Sequence, residues 1–418
     1  MKPSWNQQED LAVPLVPEEG VAVEAAPHRE PISPLDWVKL NLFSSPFNTV
    51  LTVVMAILTV WLGYSILRWI LVTAEWTVVK VNFRLFMVGR FPLEEVWRVW
   101  VGLYYVALLA GLSWGRTGRR LQWTTLKIVR RVVIGVLGLL LFRYLVDSAL
   151  VWGLMAASVA ALAAGTVVGR LAGPGSRAMR RVVGWGWFVA FPFVIVVLQV
   201  FGGVGPLRWG GFMLNVLVAV VGIVVSFPIG IMLAVGRRSS FPAVRTVCVG
   251  FIEVIRGGPL YAWLLFGQFL LPFLLPPGVR FPQIIRIMIM FTLFSAVYVA
   301  EIVRGGLQGV HHGQFEAGRA LGLSTTRLMG LVVLPQALRN TIPAMISHFI
   351  SLFKDTSLLA IIGFIEALRV ARVASAAQQF VGTSKQTLLF AALIFWVVAF
   401  SMSRWSQRLE IRLGVGER

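Results

Sequence analysis

Residues 315–337 read FEAGRALGLSTTRLMGLVVLPQA, a charged and glycine-punctuated passage between two of the most apolar stretches of the chain. Phe315–Leu321 has the composition of a short helix, with Ala317, Ala320 and Leu321 on a small apolar face and Glu316 and Arg319 exposed. Gly318 weakens that helix by about 1 kcal/mol relative to alanine. Gly322 tolerates the left-handed dihedrals that a helix end requires. Ser324 is suited to N-cap a second short helix, Thr325–Val333, which Pro335 is expected to close. The expected product is a helix–turn–helix elbow carrying one acid and several small residues, a knob for a cleft on another protein. An ordered connector is the plainer alternative.

What surrounds the elbow sets its context. The chain has 418 residues, of which 57% are hydrophobic and 13% charged. Its mean hydropathy is +0.80. Soluble domains carry about a quarter charged residues, so this composition points to a bilayer. The formal charge of +20 raises the question of nucleic acid. The basic residues, however, lie between apolar runs of spanning length, the pattern of cytoplasmic loops, so no nucleic-acid partner is expected. A lone cysteine, Cys248, excludes an intrachain disulfide and a Cys-rich metal site. His311 and His312 are consecutive and cannot converge on one ion from a helix, and no metal site is expected. His348 reads as a packed or hydrogen-bonded histidine. Residues 1–35 are rich in proline and carboxylates, cannot bury a core, and read as a disordered acidic tail.

A spanning helix needs about 20 mostly apolar residues. Ten runs qualify, roughly 48–70, 96–115, 132–148, 149–169, 182–201, 211–235, 248–275, 283–303, 342–363 and 387–405. Arg98 sits near the start of the second. Residues 73–95 are too charged to span and are expected along an interface. Placing both termini in the cytoplasm gives the cytoplasmic segments more than twice the lysines and arginines of the opposite set. The elbow, in loop 304–341, then faces the cytoplasm. The Gly-rich FGGVGPLRWGG at 201–211 divides an upstream module, 36–201, from a downstream one, 202–410, with a short cytoplasmic tail at 411–418.

Glu316-Ala317-Gly318, Gly322 six positions after the acid, then Val332, Leu334 and Pro335 resemble the "EAA" signature of ABC-importer permeases, E-A-A-x3-G-x9-I-x-L-P. The spacing matches throughout, with glycine for the second alanine and valine for isoleucine. SFPIGIMLAVGRRSSFPAVRTVCVGFIEVIRGGPL, YVAEIVRGGLQGVHHGQFEAGRALGL and LPQALRNTIPAMISHFISLFKDTSLLAIIG are similar to the polar amino acid branch of that family. The long upstream half resembles the larger permease of general L-amino acid importers. The resemblance implies an all-α integral membrane protein with a five-helix type I core after residue 202 and an N-terminal helical extension. It also implies a bacterial inner-membrane location, an ABC ATPase dimer, a second related permease, surrounding lipid and an extracytoplasmic amino-acid-binding protein. The chain has no G-x4-G-K-[ST] sequence; GTSKQT at 382–387 lacks the spacing. ATP and magnesium are thus expected on the partner ATPase, with no enzyme activity or cofactor in this chain. Glu316, Ala317, Gly318, Gly322, Leu334 and Pro335 are the expected coupling residues.

Charges within spans are costly and often functional. A zwitterionic amino acid needs an acceptor for its ammonium and a donor for its carboxylate. Asp355 or Glu301 is the candidate acceptor, and Arg256 or the amides around Gly257, Gly258 and Pro259 the candidate donor. Thr356 and Ser357 adjoin Asp355. The same groups are equally suited to tie core helices together. A ten-helix secondary transporter or channel is the competing function. A scaffold whose upstream half is the working part is another.

Overall fold

The computed structural model describes residues 33–116, 138, 143, 145–146, 148–173, 175–200 and 202–413. The tail 1–32, the basic stretch 117–131, most of the third candidate span and residues 414–418 lie outside the described residues. Every described regular element is a helix. Two compact units divide the chain, Met1–Ala74 and Glu75–Arg418.

The first unit holds α1 (Pro34–Leu42) and α2 (Pro46–Arg68), the latter prolonged by a π-turn at Trp69–Thr73. Ser45 caps α2 by accepting from the Asn48 amide at 3.1 Å, and Pro46 fills the first turn, where no amide donor is needed. None of the residues of α2 is buried. A helix apolar on every side and uncovered needs a hydrocarbon surround.

The second unit opens with α3 (Thr77–Val88). One face of this helix packs on the bundle, while Val81 on another face stays exposed. Val78, Val79 and Phe86 are fully buried, and Phe86 meets Phe390 edge-on at 5.0 Å. Residues some 300 positions away supply the cover that makes α3 part of the bundle.

Next come α4 (Trp97–Arg116), α5 (Ala149–Leu171) and α6 (Arg177–Gln199). Two G-x-x-x-G pairs, Gly111/Gly115 on α4 and Gly165/Gly169 on α5, bring these two helices into backbone contact. A Cβ on Gly111 would lie 2.2 Å from the Leu162 carbonyl oxygen, and one on Gly165 would lie 2.3 Å from that of Leu108. Such closeness suits membrane helices, whose association rests on packing rather than on water exclusion. α6 lies against α4 through the Tyr105 hydroxyl, which donates to the Gly186 carbonyl at 3.1 Å, and through Trp187, which donates to Ser113 at 2.9 Å. Arg98 is buried because it satisfies the end of α6, donating to the carbonyls of Val197 at 2.8 Å and Val200 at 2.7 Å.

The remaining helices are α7 (Gly211–Gly236), α8 (Pro242–Arg256), α9 (Leu260–Leu265), α10 (Leu271–Leu274), α11 (Gln283–Gln308), α12 (His312–Ala320), α13 (Thr325–Leu328), α14 (Leu334–Asp355), α15 (Ala367–Ala376) and α16 (Ser384–Leu413). α7, α11 and α14 form the centre, where Gly222 admits Phe291 and Leu352, and Gly230 admits Val299. Among the described residues, seven helices are long and apolar enough to cross a membrane. An eighth crossing exists if α8 and the α9–α10 stretch, bent by 101°, count as one broken span. The ninth candidate, 342–363, is displaced toward the N-terminus: α14 covers 334–355, and residues 356–360 form a 3-10 turn.

Candidate coupling loop and polar clusters

The elbow between α11 and α14 is built around Gly318. This glycine is buried, and a Cβ there would meet the Leu328 Cδ1 at 2.3 Å. Phe315, Leu323, Leu328, Val332 and Val333 pack into one apolar cluster with the ends of the core helices. At the turn, the Gly322 amide donates to the Arg319 carbonyl at 2.9 Å and the Leu323 amide to the Gly318 carbonyl at 3.1 Å. Gly322 adopts φ +73°, the left-handed conformation that glycine enters without penalty. Ser324 stands at the N-cap of α13 in extended conformation, without a side-chain cap hydrogen bond.

Pro335 does not close the second helix. A π-turn at Met329–Val333 joins α13 to α14, and Pro335 falls within the first turn of α14. The altered bonding of the π-turn accommodates the missing proline donor, so the backbone runs on as one rod from Thr325 to Asp355.

Burying Gly318 and Leu328, with Phe315 half-buried beside them, leaves the opposite face to solvent. Glu316, Ala317, Ala320 and Leu321 are exposed there, Leu321 at 81%. The Glu316 carboxylate lies 3.0 Å from His312 Nδ1, one turn earlier. Leu334 is half-buried in the apolar cluster beneath. Replacing Gly318 by alanine is expected to cost little, because the opposing atom is the end of a flexible leucine. Replacing it by leucine is expected to lower the melting temperature of the purified protein by several degrees, and pairing Gly318→Leu with Leu328→Ala is expected to restore most of that loss.

The candidate substrate residues separate into two groups. Glu301 is paired with Arg237, with Arg304 at 2.8 Å and with Arg256 at 3.6 Å, tying the ends of α7, α8 and α11 together. Arg256 also lies over the Tyr298 ring at 6.0 Å. Gly257, Gly258 and Pro259 form the break before α9, where the Gly257 amide already donates to the Glu253 carbonyl at 2.9 Å.

Thr356 belongs to a different cluster. Asn215, near the start of α7, donates to the Thr356 hydroxyl at 3.2 Å and to the Glu366 carboxylate at 2.9 Å. Glu366 also accepts from the Arg369 amide at 2.7 Å, capping α15. Burial pushes the Glu366 carboxyl upward from its ordinary range, and hydrogen bonds from Leu368, Asn215 and Arg369 pull it back. Asp355 and Ser357 are half-buried beside Thr356. Asn215 and Arg237 are separated by most of α7, about 30 Å at 1.5 Å per residue. Arg256 and Asp355 therefore do not meet on one amino acid in this conformation.

Between the two clusters, the Ser295 hydroxyl donates to Ser226 at 2.9 Å and lies 3.0 Å from His348 Nε2. Tyr298 stacks on His348 at 5.6 Å. Sequence reasoning passed over Asn215, Glu366, Ser226, Ser295, Arg237 and Arg304. Glu366 had a visible signal, as an acid just before a helix-forming run. The others had no local signature.

Residues 226–415 match the family model described as binding-protein-dependent transport system inner membrane component. Over nearly its whole length, the chain is 35% identical across 433 residues to the glutamate/glutamine/aspartate/asparagine transport system permease protein of Rhodobacter capsulatus, covering 93% of this chain and 96% of that one. The chain belongs to the permease subunits of amino-acid ABC transporters. An inner membrane amino-acid ABC transporter permease of Escherichia coli K12 is 32% identical over 405 residues, covering 91% of this chain and 93% of that protein. A probable glutamine ABC transporter permease of Bacillus subtilis is 33% identical over 204 residues, which is 92% of that protein and 49% of this permease. Permeases of about 200 residues thus match half of the chain, and longer ones match nearly all of it. The permease is a multi-pass membrane component of transport rather than an enzyme in its own family's terms, and the all-helical fold agrees with that membership.

Proposed function

We propose that this permease is one membrane half of an ATP-driven importer for polar L-amino acids. It receives substrate from an extracytoplasmic binding protein and pairs with a second, related permease in the bacterial inner membrane, with both termini in the cytoplasm. A separate ATPase dimer, carrying ATP and magnesium, grips the α12–α13 elbow and moves the core helices. The observation that carries this reading is the elbow itself. It presents exposed Ala317, Ala320 and Leu321 on a face whose reverse side is locked into the bundle. Spaced three and four positions apart, these side chains form one exposed apolar stripe suited to a partner's cleft. Glu316 sits beside that face, Gly318 and Gly322 set its shape, and Leu334 and Pro335 anchor it to α14. The names of the full-length relatives support acidic and amide amino acids as the substrate class.

Proteoliposomes containing both permeases and the ATPase test the reading. Uptake of glutamate or glutamine is expected only with internal ATP and external binding protein. Uptake by this chain alone, without ATP, would overturn it in favour of a secondary carrier.

Within that reading, Asp355 and Ser357 contact substrate, whereas Arg256, Glu301 and the fully buried Thr356, bonded to Asn215 and Phe353, hold helices together. Asp355→Asn is expected to change the relative uptake of cationic, neutral and acidic amino acids. A uniform loss for all three would assign Asp355 a structural role instead.

A further inference from the structure

We propose that Glu301 is the mechanical joint of the permease, the carboxylate through which displacement of the 309–333 loop reaches α7 and α8. This inference rests on the coupling role proposed for that loop. Its first support is the rigidity of the handle. A Cβ on Gly306 would meet Thr341 Cγ2 at 2.4 Å and the Ala337 carbonyl oxygen at 2.7 Å. The last turns of α11 and the first turns of α14 are therefore in backbone contact, and a push on the loop moves both together.

Glu301 stands two turns before the loop, with its side chain only 15% exposed. Across the helix boundary it holds Arg237, at the end of α7, and Arg256, the last residue of α8. The contacts to Arg237 and Arg304 are charge-assisted hydrogen bonds, which have a defined direction. Arg304, on the same helix as Glu301, adds a third positive charge at 2.8 Å. Without the carboxylate, the three guanidinium groups repel one another.

Arg237 bridges two carboxylates at once, because its Nη2 also lies 3.7 Å from Glu253 Oε1 on α8. If α11 withdraws, Arg237 keeps a partner in Glu253, so the tie to Glu301 can loosen without leaving the guanidinium unpaired. Arg256 immediately precedes the 101° bend between α8 and α9. Trp263 holds that bend by donating to the Ile255 carbonyl at 2.8 Å, and Gly258 lies against the same indole. A pull on Arg256 thus acts directly at a hinge.

The test measures amino-acid uptake and ATP hydrolysis in the same proteoliposomes, using the complete transporter with its ATPase and binding protein. Glu301→Gln keeps the shape and removes the charge. Transport per ATP hydrolysed is expected to fall by about tenfold while the complex still co-purifies and hydrolyses ATP. Arg304→Gln, which leaves the cross-helix ties intact, is expected to keep a ratio close to wild type. Adding Arg237→Gln to Glu301→Gln is expected to cause little further loss. A wild-type ratio for Glu301→Gln overturns the joint. If Glu301→Gln fails to assemble, Glu301→Asp decides in the same way, because it keeps the charge and shortens the reach. A wild-type complex that hydrolyses no ATP overturns the importer reading itself, a result distinct from failure of the joint.

Discussion

Replacement of Gly322 by valine is expected to abolish most amino-acid uptake while leaving the permease inserted in the membrane. The reason is confined to the backbone. A Cβ at this position would meet nothing within 4 Å, so no clash follows from the added side chain. The φ of +73° is the whole obstacle. Left-handed backbone costs an ordinary L-residue about 1–2 kcal/mol, and a β-branched one fares worse. That strain corresponds to roughly a 5–30-fold loss in the population of the wild-type turn. The apolar cluster beneath the elbow remains available, so the fold survives while α12 changes its angle to α13. Leu321, directly before the turn, moves with it. Gly322→Asn, whose side chain tolerates the left-handed region, is expected to retain much of the uptake. Wild-type uptake by Gly322→Val, measured at equal membrane abundance, would show that the turn's geometry is not needed for coupling.

Gly111→Leu is expected to have a larger effect of another kind, loss of the folded protein. The obstructing atom is the Leu162 carbonyl oxygen of α5, 2.2 Å from the position of the new Cβ. Backbone cannot turn aside as a leucine end can. The whole α4–α5 contact must open, and Gly115, Gly165 and Gly169 lose their close approach with it. Overpacking of a tight site ordinarily costs about 1–3 kcal/mol, and a clash against helical backbone belongs at or above the upper end. The expected result is little monodisperse protein after detergent extraction. Gly153→Leu, on the same α5 but with nothing within 4 Å, is the matched control and is expected to behave like wild type. Similar yields for the two variants would contradict the packing described for the upstream half.

The elbow was legible in the sequence because its determinants are local. A left-handed glycine and a small residue against Leu328 act within a few positions, whereas Ser324 starts its helix without a side-chain cap. Pro335 misled for the same reason: the local rule expects a break, and only the π-turn before it reveals a continuous helix. The burial of α3 could not be read from its own residues, since Phe390 and the α15 face supply its cover. The two G-x-x-x-G pairs were visible in the sequence, but their pairing with each other depends on packing. Charge within a span drew attention to Glu301, Arg256 and Asp355. Their separation into clusters at opposite ends of α7 required the order and direction of the helices. Arg237 and Arg304 stood among ordinary loop-flanking arginines until Glu301 brought them together.

The central claim is that a separate motor holds the α12–α13 elbow. A detergent pull-down of tagged permease from its native membrane, with co-purifying chains identified, tests it most directly. Recovery of an ABC ATPase and a second permease is predicted, with the ATPase lost when Glu316 and Gly322 are replaced together and the second permease retained. An ATPase that stays bound to the doubly substituted elbow, or a permease that emerges alone and still transports amino acids without ATP, would contradict it.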